Sequence, residues 1–133
     1  GALSISALDY YKDEIKGKTV VCVVSGSNND ILRTEEIKER SLLFEGLKHY
    51  FMIQFPQRPG ALKEFVNDIL GDEDDITYFQ FAKKNNRETG PVVVGLELKN
   101  KDDIGSIKSK MQAKNFQYQY LNEMPDLYTQ LIA

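Results

Sequence analysis

The residues best suited to chemistry form one short run, Arg58-Pro59-Gly60-Ala61-Leu62, directly before an apolar helical repeat. Pro59 fixes φ near the value that a helix start requires, and Gly60 removes a Cβ where a ligand must approach the backbone. The free N–H groups of a helix start, together with the positive end of its dipole, suit a carboxylate. The same Pro-Gly pair is also typical of a plain tight turn. The residues alone leave both interpretations open.

The other reactive side chains favour structural roles. His49 is the single histidine and has no carboxylate or cysteine at catalytic or ligand spacing, so we expect a surface or strand-end position. Cys22 is the single cysteine, which allows no internal disulfide, and its apolar surroundings suggest a small hydrophobe. Tyr118 and Tyr120 suit a half-buried edge strand better than a binding cage.

The elements that must position this turn follow a regular order from about residue 48 to about residue 121. Two-residue alternation predicts strands, and a 3.6-residue apolar period predicts helices. The predicted order is strand 50–55, helix 62–70, strand 76–82, hairpin loop 83–90, strand 92–98, a helix through Ile104, Ile107 and Met111, and strand 116–120. This βαββαβ order predicts an α+β, ferredoxin-like fold, an antiparallel four-stranded sheet with two helices on one face.

Several finer features of these elements can be predicted. The alternation places Phe51, Ile53 and Phe55 on one face of the first strand, and Thr77, Phe79 and Phe81 on one side of the second. Asn100 is expected to be the N-cap of the second helix, with Asp103 as the acid of a capping box.

Residues 1–46 differ from this pattern. A helix and a turn lead into Thr19–Val24, which lacks polar alternation, as expected for a strand covered on both faces in a parallel sheet. Such a strand is not stable alone, so its neighbours lie outside these 133 residues or elsewhere in the chain. A charged connecting helix follows. The predicted organisation is therefore a tail at 1–30, a connecting helix at 31–46 and a domain at 47–133.

Composition limits the classes of function. The chain carries 17 basic and 20 acidic side chains, a net charge of −3, and so lacks the basic surface of a general nucleic-acid-binding protein. Its apolar runs are far shorter than the ~20 residues that a membrane span requires. We expect neither nucleic-acid nor membrane partners, and a cytoplasmic location.

Two known classes of protein with the same order of elements do not fit this sequence. An RNA-recognition domain needs a basic and aromatic motif in the third strand, where this chain has Val92, Val93 and Val94. A heavy-metal chaperone needs two cysteines in its first loop, and this chain has none there.

Two motifs in this order resemble a known family. The run from Arg58 to Leu62 between strand and helix is similar to the signature of ACT and ACT-like domains, which bind amino acids as allosteric effectors. The string from Phe55 to Phe65, followed by Asp75-Ile76-Thr77-Tyr78-Phe79, resembles the C-terminal regulatory domain of biosynthetic threonine dehydratases (threonine ammonia-lyases). The run from Val20 to Asn29 resembles the last strand of their pyridoxal-phosphate domain and the turn after it.

The resemblance implies that residues 1–30 are the C-terminal tail of a pyridoxal-phosphate-dependent catalytic domain. Ser25 matches the family's serine beside the pyridine nitrogen, so it is expected to contact the cofactor in the full-length enzyme only. The family's Schiff-base lysine and phosphate loop lie upstream, so we expect no cofactor and no catalytic residue in this chain. The implied activity of the whole enzyme is conversion of L-threonine to 2-oxobutanoate and ammonia in isoleucine biosynthesis.

For the regulatory part, the resemblance implies isoleucine as feedback inhibitor, with valine as an opposing ligand. The effector carboxylate is expected to meet the N–H groups of Gly60, Ala61 and Leu62, and Asp75 would accept from the ammonium. An aliphatic pocket would come from neighbours such as Phe55, Leu62 or Tyr78. Isoleucine and valine differ by one methylene, worth about 1–3 kcal/mol, so the sequence does not choose between them.

ACT modules usually pair, so the implied partners are a second copy of this module and the chain's own catalytic domain, in a higher oligomer at full length. The connecting helix 31–46 then either transmits the regulatory signal or acts as a plain spacer. A second class of function stays open, a freestanding ferredoxin-like interaction domain that binds no small molecule.

Overall fold

The computed structural model describes residues 1–26, 30–81 and 89–132. Within these ranges the elements are α1 (Ala2–Tyr10), α2 (Ile31–Glu45), β1 (Lys48–Pro56), α3 (Ala61–Asp68), β2 (Asp75–Phe81), β3 (Thr89–Glu97), α4 (Asp103–Ala113), β4 (Gln117–Tyr120), a 3₁₀ turn (Leu121–Glu123) and α5 (Pro125–Leu131). Contacts divide the chain into two compact units, Gly1–Glu36 and Ile37–Ala133. None of the described helices is both long and apolar enough to cross a lipid bilayer.

The second unit has the predicted ferredoxin-like topology. Its sheet has the order β2-β3-β1-β4, and each neighbouring pair is antiparallel. Buried side chains of α3 and α4 pack on one face of the sheet. The α+β prediction is confirmed. The predicted loop at 83–90 falls largely outside the described residues, and its last two residues belong to β3.

The core lies between this face and the two helices. Phe51, Ile53 and Phe55 are all buried, which confirms the predicted inward face of β1. Phe65 of α3 is fully buried, and its ring centroid lies 5.2 Å from Phe55 and 5.9 Å from Phe116. Burial of each such side chain stabilises the fold by roughly 1.5–3 kcal/mol. The strand that carries the Pro-Gly turn is therefore firmly anchored.

A β-bulge in β2 changes the predicted alternation. The register shifts between Ile76 and Tyr78, which leaves Thr77 as the extra residue. Phe79 and Phe81 therefore face the side of the sheet that carries the helices, whereas Tyr78 packs on the opposite side. No described contact places the Thr77 side chain on either face, so its sharing a side with the two phenylalanines stays a prediction.

A second apolar cluster covers part of the opposite face of the sheet. Buried Tyr50, Val93 and Leu121 pack there against side chains from the end of α2 and from α5. The Tyr50 hydroxyl donates to the Glu39 carboxylate, which also pairs with Lys48 Nζ at 3.4 Å. Burial and the charge of Glu39 raise the pKa of Tyr50, so its hydroxyl stays a donor. The sequence alone did not predict this second apolar cluster.

Gly95 makes room for the same cluster. A Cβ at this position in β3 would lie 2.6 Å from Tyr50 Cε1 and 2.9 Å from Tyr78 Cβ. Contacts this short do not occur between real side chains, so the Tyr50 ring and the Tyr78 Cβ would both have to move. Gly95 therefore allows the Tyr50 ring to lie against the sheet while its hydroxyl reaches α2.

The predicted strand at Thr19–Val24 is not formed. Residues 19–26 have no regular secondary structure, and Val20, Val21, Val23 and Val24 are between 44% and 84% exposed. The segment is held by α1 instead, because Ser4 Oγ donates to the Val23 carbonyl at 3.0 Å. A strand needs backbone partners on a neighbouring strand, and the described residues of this unit provide a helix.

The second helix of the ferredoxin-like unit starts later than predicted. The helix begins at Asp103 with Asp102 as its N-cap, and the side chain of Asn100 accepts from the Asp102 N–H at 3.0 Å. Asn100 thus forms a turn before the helix, and the predicted N-cap is wrong by two residues. Local side-chain bonding of this kind is typical of asparagine.

His49 lies at the start of β1, as predicted, but it is buried, with 4% of its surface exposed. Its Nδ1 lies 2.8 Å from the Tyr120 hydroxyl and its Nε2 lies 2.8 Å from the Gly46 carbonyl oxygen. Burial lowers the pKa of His49, the bond to Gly46 opposes this effect, and the charge of Lys108 adds to it. The folded state therefore favours the neutral ring.

This burial predicts a dependence of stability on pH. Because the folded pKa of His49 lies below its unfolded value, its contribution is present above about pH 6.5 and is lost as the pH falls. We expect the free energy of unfolding to decrease from about pH 7.5 to about pH 5, and His49→Gln to decrease less. Urea unfolding of both proteins over this range measures the difference. Parallel pH profiles for the two proteins would contradict the assignment.

Candidate functional site

The Pro-Gly turn joins β1 to α3 and has the backbone that its sequence demands. Gly60 is the N-cap of α3, with φ 86° and ψ −5°, in the left-handed region. A Cβ added there would meet no atom within 4 Å, so the backbone conformation and not a close neighbour requires glycine. Gly60 is exposed, and none of the side chains that the structure describes covers the turn at this point.

Several amide groups of this turn are available to a ligand. The Glu64 N–H donates to the Gly60 carbonyl at 2.9 Å, which closes the first turn of α3. The N–H of Ala61 makes only a long bond of 3.4 Å to the Arg58 carbonyl. Among the described residues, the N–H groups of Gly60, Leu62 and Lys63 have no partner. A helix start with unpaired donors attracts anions.

Arg58 does not point freely into solvent. Its guanidinium pairs with the Glu64 carboxylate of α3, although more than half of the Arg58 side chain is exposed. This ion pair links the turn to the helix that follows it. Because the pair is exposed, it contributes little to stability.

A cavity of about 610 Å³ opens beside the turn. This volume is within the range of small-molecule sites. All five residues of the predicted motif line the cavity, and most of its walls are apolar. The lining residues are Phe55, Pro56, Gln57, Arg58, Pro59, Gly60, Ala61, Leu62, Lys63, Val66, Asn67, Phe79 and Phe81.

Gln57 is the unexpected member of this lining. Its side-chain Nε2 is buried and has no hydrogen-bond partner among the described residues. An unsatisfied buried donor costs about 1–3 kcal/mol. Gln57 falls within the motif string from Phe55 to Phe65, but nothing in the sequence indicates which face of the turn its amide takes.

Phe79, Phe81 and Val66 were also missed as site residues. The two phenylalanines reach the cavity because the bulge in β2 turns them to the helix side. Val66 lies within the predicted helix 62–70 and is partly exposed at the cavity wall. The sequence does contain one indication of this role: Leu62 and Val66 lie one helical turn apart and therefore share a face of α3.

The structure does not bring Asp75 and Tyr78 to this cavity. Asp75 starts β2, is exposed, and lines a separate depression with Asp72 and Asp74. Tyr78 lies on the opposite face of the sheet, with its ring centroid 6.5 Å from that of Tyr50. The five residues from Arg58 to Leu62 thus line one cavity, whereas Asp75 and Tyr78 lie outside it.

Ser25 belongs to the first unit and is exposed. A single hydroxyl is chemically compatible with a contact to a pyridine nitrogen, the role that the resemblance implies for Ser25. No other polar side chain among the described residues hydrogen-bonds to it. We therefore derive no chemical step through pyridoxal phosphate from this chain.

Comparison with known proteins gives a consistent result. Residues 39–131 match the family described as the C-terminal regulatory domain of threonine dehydratase. The chain is 59% identical over 132 residues to L-threonine dehydratase biosynthetic IlvA of Bacillus subtilis (strain 168). Identity to the proteins of the same name is 57% for Halalkalibacterium halodurans and 58% for Staphylococcus aureus (strain NCTC 8325 / PS 47).

These alignments cover 99% of this chain in each case, but 31%, 32% and 31% of the three relatives. The chain therefore spans about a third of the length of the curated relatives it matches. The family match extends over more than half of the chain and includes the whole of the sheet, the turn and the cavity. The chain belongs to the family of C-terminal regulatory domains of threonine dehydratase.

Proposed function

We propose that this chain binds a branched-chain amino acid at the turn between β1 and α3 and so regulates a biosynthetic threonine dehydratase. The enzyme would convert L-threonine to 2-oxobutanoate and ammonia in a pyridoxal-phosphate-dependent catalytic domain, to which residues 1–30 and Ser25 would belong. Isoleucine is the proposed inhibitor and valine an opposing ligand. The observation that carries the proposal is an apolar cavity beside a helix start whose amides of Gly60, Leu62 and Lys63 have no partner in the described part of the chain.

The charges around the cavity favour the carboxylate end of an amino acid. The charged side chains in its described lining are those of Arg58 and Lys63, both cationic. The N-terminal dipole of α3 adds positive potential, typically worth 0.3–1 kcal/mol to an anion in an exposed setting. The N–H groups of Gly60 and Leu62 provide directional donors for the same group.

The apolar walls favour an aliphatic side chain. Phe55, Leu62, Val66, Phe79 and Phe81 surround the space beyond the turn. Burial of one additional methylene stabilises a complex by about 0.8 kcal/mol. Isoleucine is therefore expected to bind a few times more tightly than valine, and threonine, whose hydroxyl would find only carbon neighbours along these walls, more weakly than either.

A second copy of the chain is the proposed partner at the edge of the sheet. Leu62, Val66, Phe79 and Phe81 are each between 40% and 46% exposed and lie beside β2, an edge strand. Exposed apolar side chains next to an unpaired strand edge are usually covered in the native assembly. Pairing of two copies would also enclose the open side of the cavity.

Titration calorimetry of this chain with isoleucine, valine and threonine tests the binding proposal. We expect heat and a raised melting temperature with isoleucine and valine, and no response to threonine at the same concentration. If none of the three binds, the effector proposal fails, and the alternative of an interaction domain without a small-molecule ligand takes its place.

Sedimentation at micromolar concentration tests the proposed pairing separately. A dimer is expected, and its association should weaken when Phe79→Ser reduces the apolar strip. A monomer throughout the concentration range would refute the pairing but leave the binding result unaffected.

A further inference from the structure

We infer that Glu39 of α2, held by Lys48 and Tyr50 of β1, is a positioning residue that couples the effector site to the connecting helix. The role rests on the proposed function and deepens it by naming the contact that carries the regulation. The Glu39 carboxylate accepts from the Tyr50 hydroxyl and pairs with Lys48 Nζ at 3.4 Å. Among the residues that the structure describes, these are the only polar side-chain contacts between α2 and the sheet.

The sheet side of this contact is firmly held. Lys48 and Tyr50 pair with Glu97 and Gly95 of β3 on one side. On the other side, beyond the last residue of β4, the Asn122 side chain continues the pairing. Its Nδ2 donates to the Lys48 carbonyl and its Oδ1 accepts from the Tyr50 N–H, both at 2.8 Å. The backbone of the two residues that hold Glu39 is therefore fixed from both sides.

The helix side of the contact is directional. Leu43, one turn after Glu39, packs against the second apolar cluster. Apolar packing has no preferred direction, so on its own it allows a helix to rotate or slide. The Glu39 carboxylate has two donors in fixed positions, and the Lys48 side chain is only 7% exposed, so separation would leave a buried charge without its partner. The contact thus gives α2 one preferred orientation on the sheet.

One strand carries both the contact and part of the cavity wall. Phe55 of β1 lines the cavity, and Tyr50 of the same strand donates to Glu39. An effector regulates only if it binds two states of the protein with different affinities. Coupling between distant sites requires an element with two discrete arrangements. The contact at Glu39, made in one state and broken in the other, is that element.

Tyr50→Phe in the full-length dehydratase tests the coupling, because it removes the hydroxyl and keeps the ring. We expect isoleucine to bind with nearly unchanged affinity by calorimetry. Its inhibition at saturation should fall at least about fivefold, the lower end of typical coupling between sites. Turnover and KM without isoleucine should keep their wild-type values. A merely structural tyrosine would instead weaken binding and inhibition together and lower the melting temperature.

Lys48→Met provides an independent variant that removes the second partner of Glu39. The Glu39 side chain is 32% exposed, so its carboxylate stays hydrated without Lys48 and the variant should fold. We expect the same loss of inhibition with retained binding of isoleucine. The double variant should lose little more than either single variant, since both act through Glu39.

Tyr128→Phe is the matched control. The Tyr128 ring centroid lies 5.4 Å from that of Tyr50, but in the described part of the chain its hydroxyl makes no hydrogen bond. Binding and inhibition should both stay at wild-type values. Full inhibition in Tyr50→Phe or in Lys48→Met, or an equal loss in Tyr128→Phe, would overturn the inference. If the wild-type protein itself binds no branched-chain amino acid, the proposed function fails, and calorimetry of the wild type distinguishes this result from a loss of coupling in the variants.

Discussion

Replacement of Gly60 by aspartate is expected to abolish inhibition by isoleucine in the full-length dehydratase while turnover persists. The new carboxylate would stand at the anion-binding end of the cavity, next to the unpaired N–H groups of the turn. Two like charges about 4 Å apart repel by 1–4 kcal/mol, depending on the local dielectric constant. Isoleucine affinity should therefore fall roughly five- to nine-hundred-fold. Inhibition curves and the calorimetric affinity measure the effect.

Gly60→Asn is the matched control for this variant. Asparagine has the same shape without the charge, and both residues tolerate the left-handed conformation better than other side chains do. A Cβ here meets no protein atom, so both variants should fold with a similar small loss of stability. Equal loss of inhibition in the two variants would show that strain or bulk, and not charge, is responsible. Unchanged inhibition in Gly60→Asp would refute the proposed site.

Phe65→Ala should produce the largest loss of stability among single substitutions near the site. Phe65 is fully buried between the rings of Phe55 and Phe116, and its removal leaves a cavity at the centre of the core. Truncations of this kind cost about 3–5 kcal/mol. Because a domain of this size is stable by only about 5–15 kcal/mol, the denaturant midpoint should fall steeply. Urea unfolding followed by circular dichroism measures the change.

Val66, the next residue of α3, allows a core position to be compared with a position in the proposed site. Val66 is partly exposed and lines the cavity, so Val66→Ala should cost much less stability and weaken isoleucine binding by only a few-fold. If Phe65→Ala unfolds at nearly the wild-type urea concentration, the packing described for this core is incorrect.

The fold was largely predictable because its signals are local. Two-residue alternation in β1 reflects the face that is buried against the helices, and Phe51, Ile53 and Phe55 occupy that face. The turn was predictable for a similar reason, since Pro59 and Gly60 restrict the backbone on their own, whatever surrounds them. These features need no knowledge of distant parts of the chain.

The features that sequence did not predict depend on partners distant in the chain. The apolar run at Thr19–Val24 has strand composition, but strand formation requires a neighbour that the described part of its unit does not supply. The bulge at Thr77 decides which aromatic rings reach the cavity, and one inserted residue leaves no trace in the alternation. The structure alone reveals that the side-chain nitrogen of Gln57 has no hydrogen-bond partner among the described residues.

The position of β1 in the sheet has a mechanical consequence. β1 is an inner strand, paired on both sides, and it ends at the turn that lines the cavity. At its other end, Lys48 and Tyr50 hold Glu39 of α2. The nine residues of β1, at about 3.4 Å each, span roughly 30 Å in one continuous strand. A displacement of β1 at the turn would therefore be transmitted to Glu39 of α2 through this one strand, without passing through the surface loops.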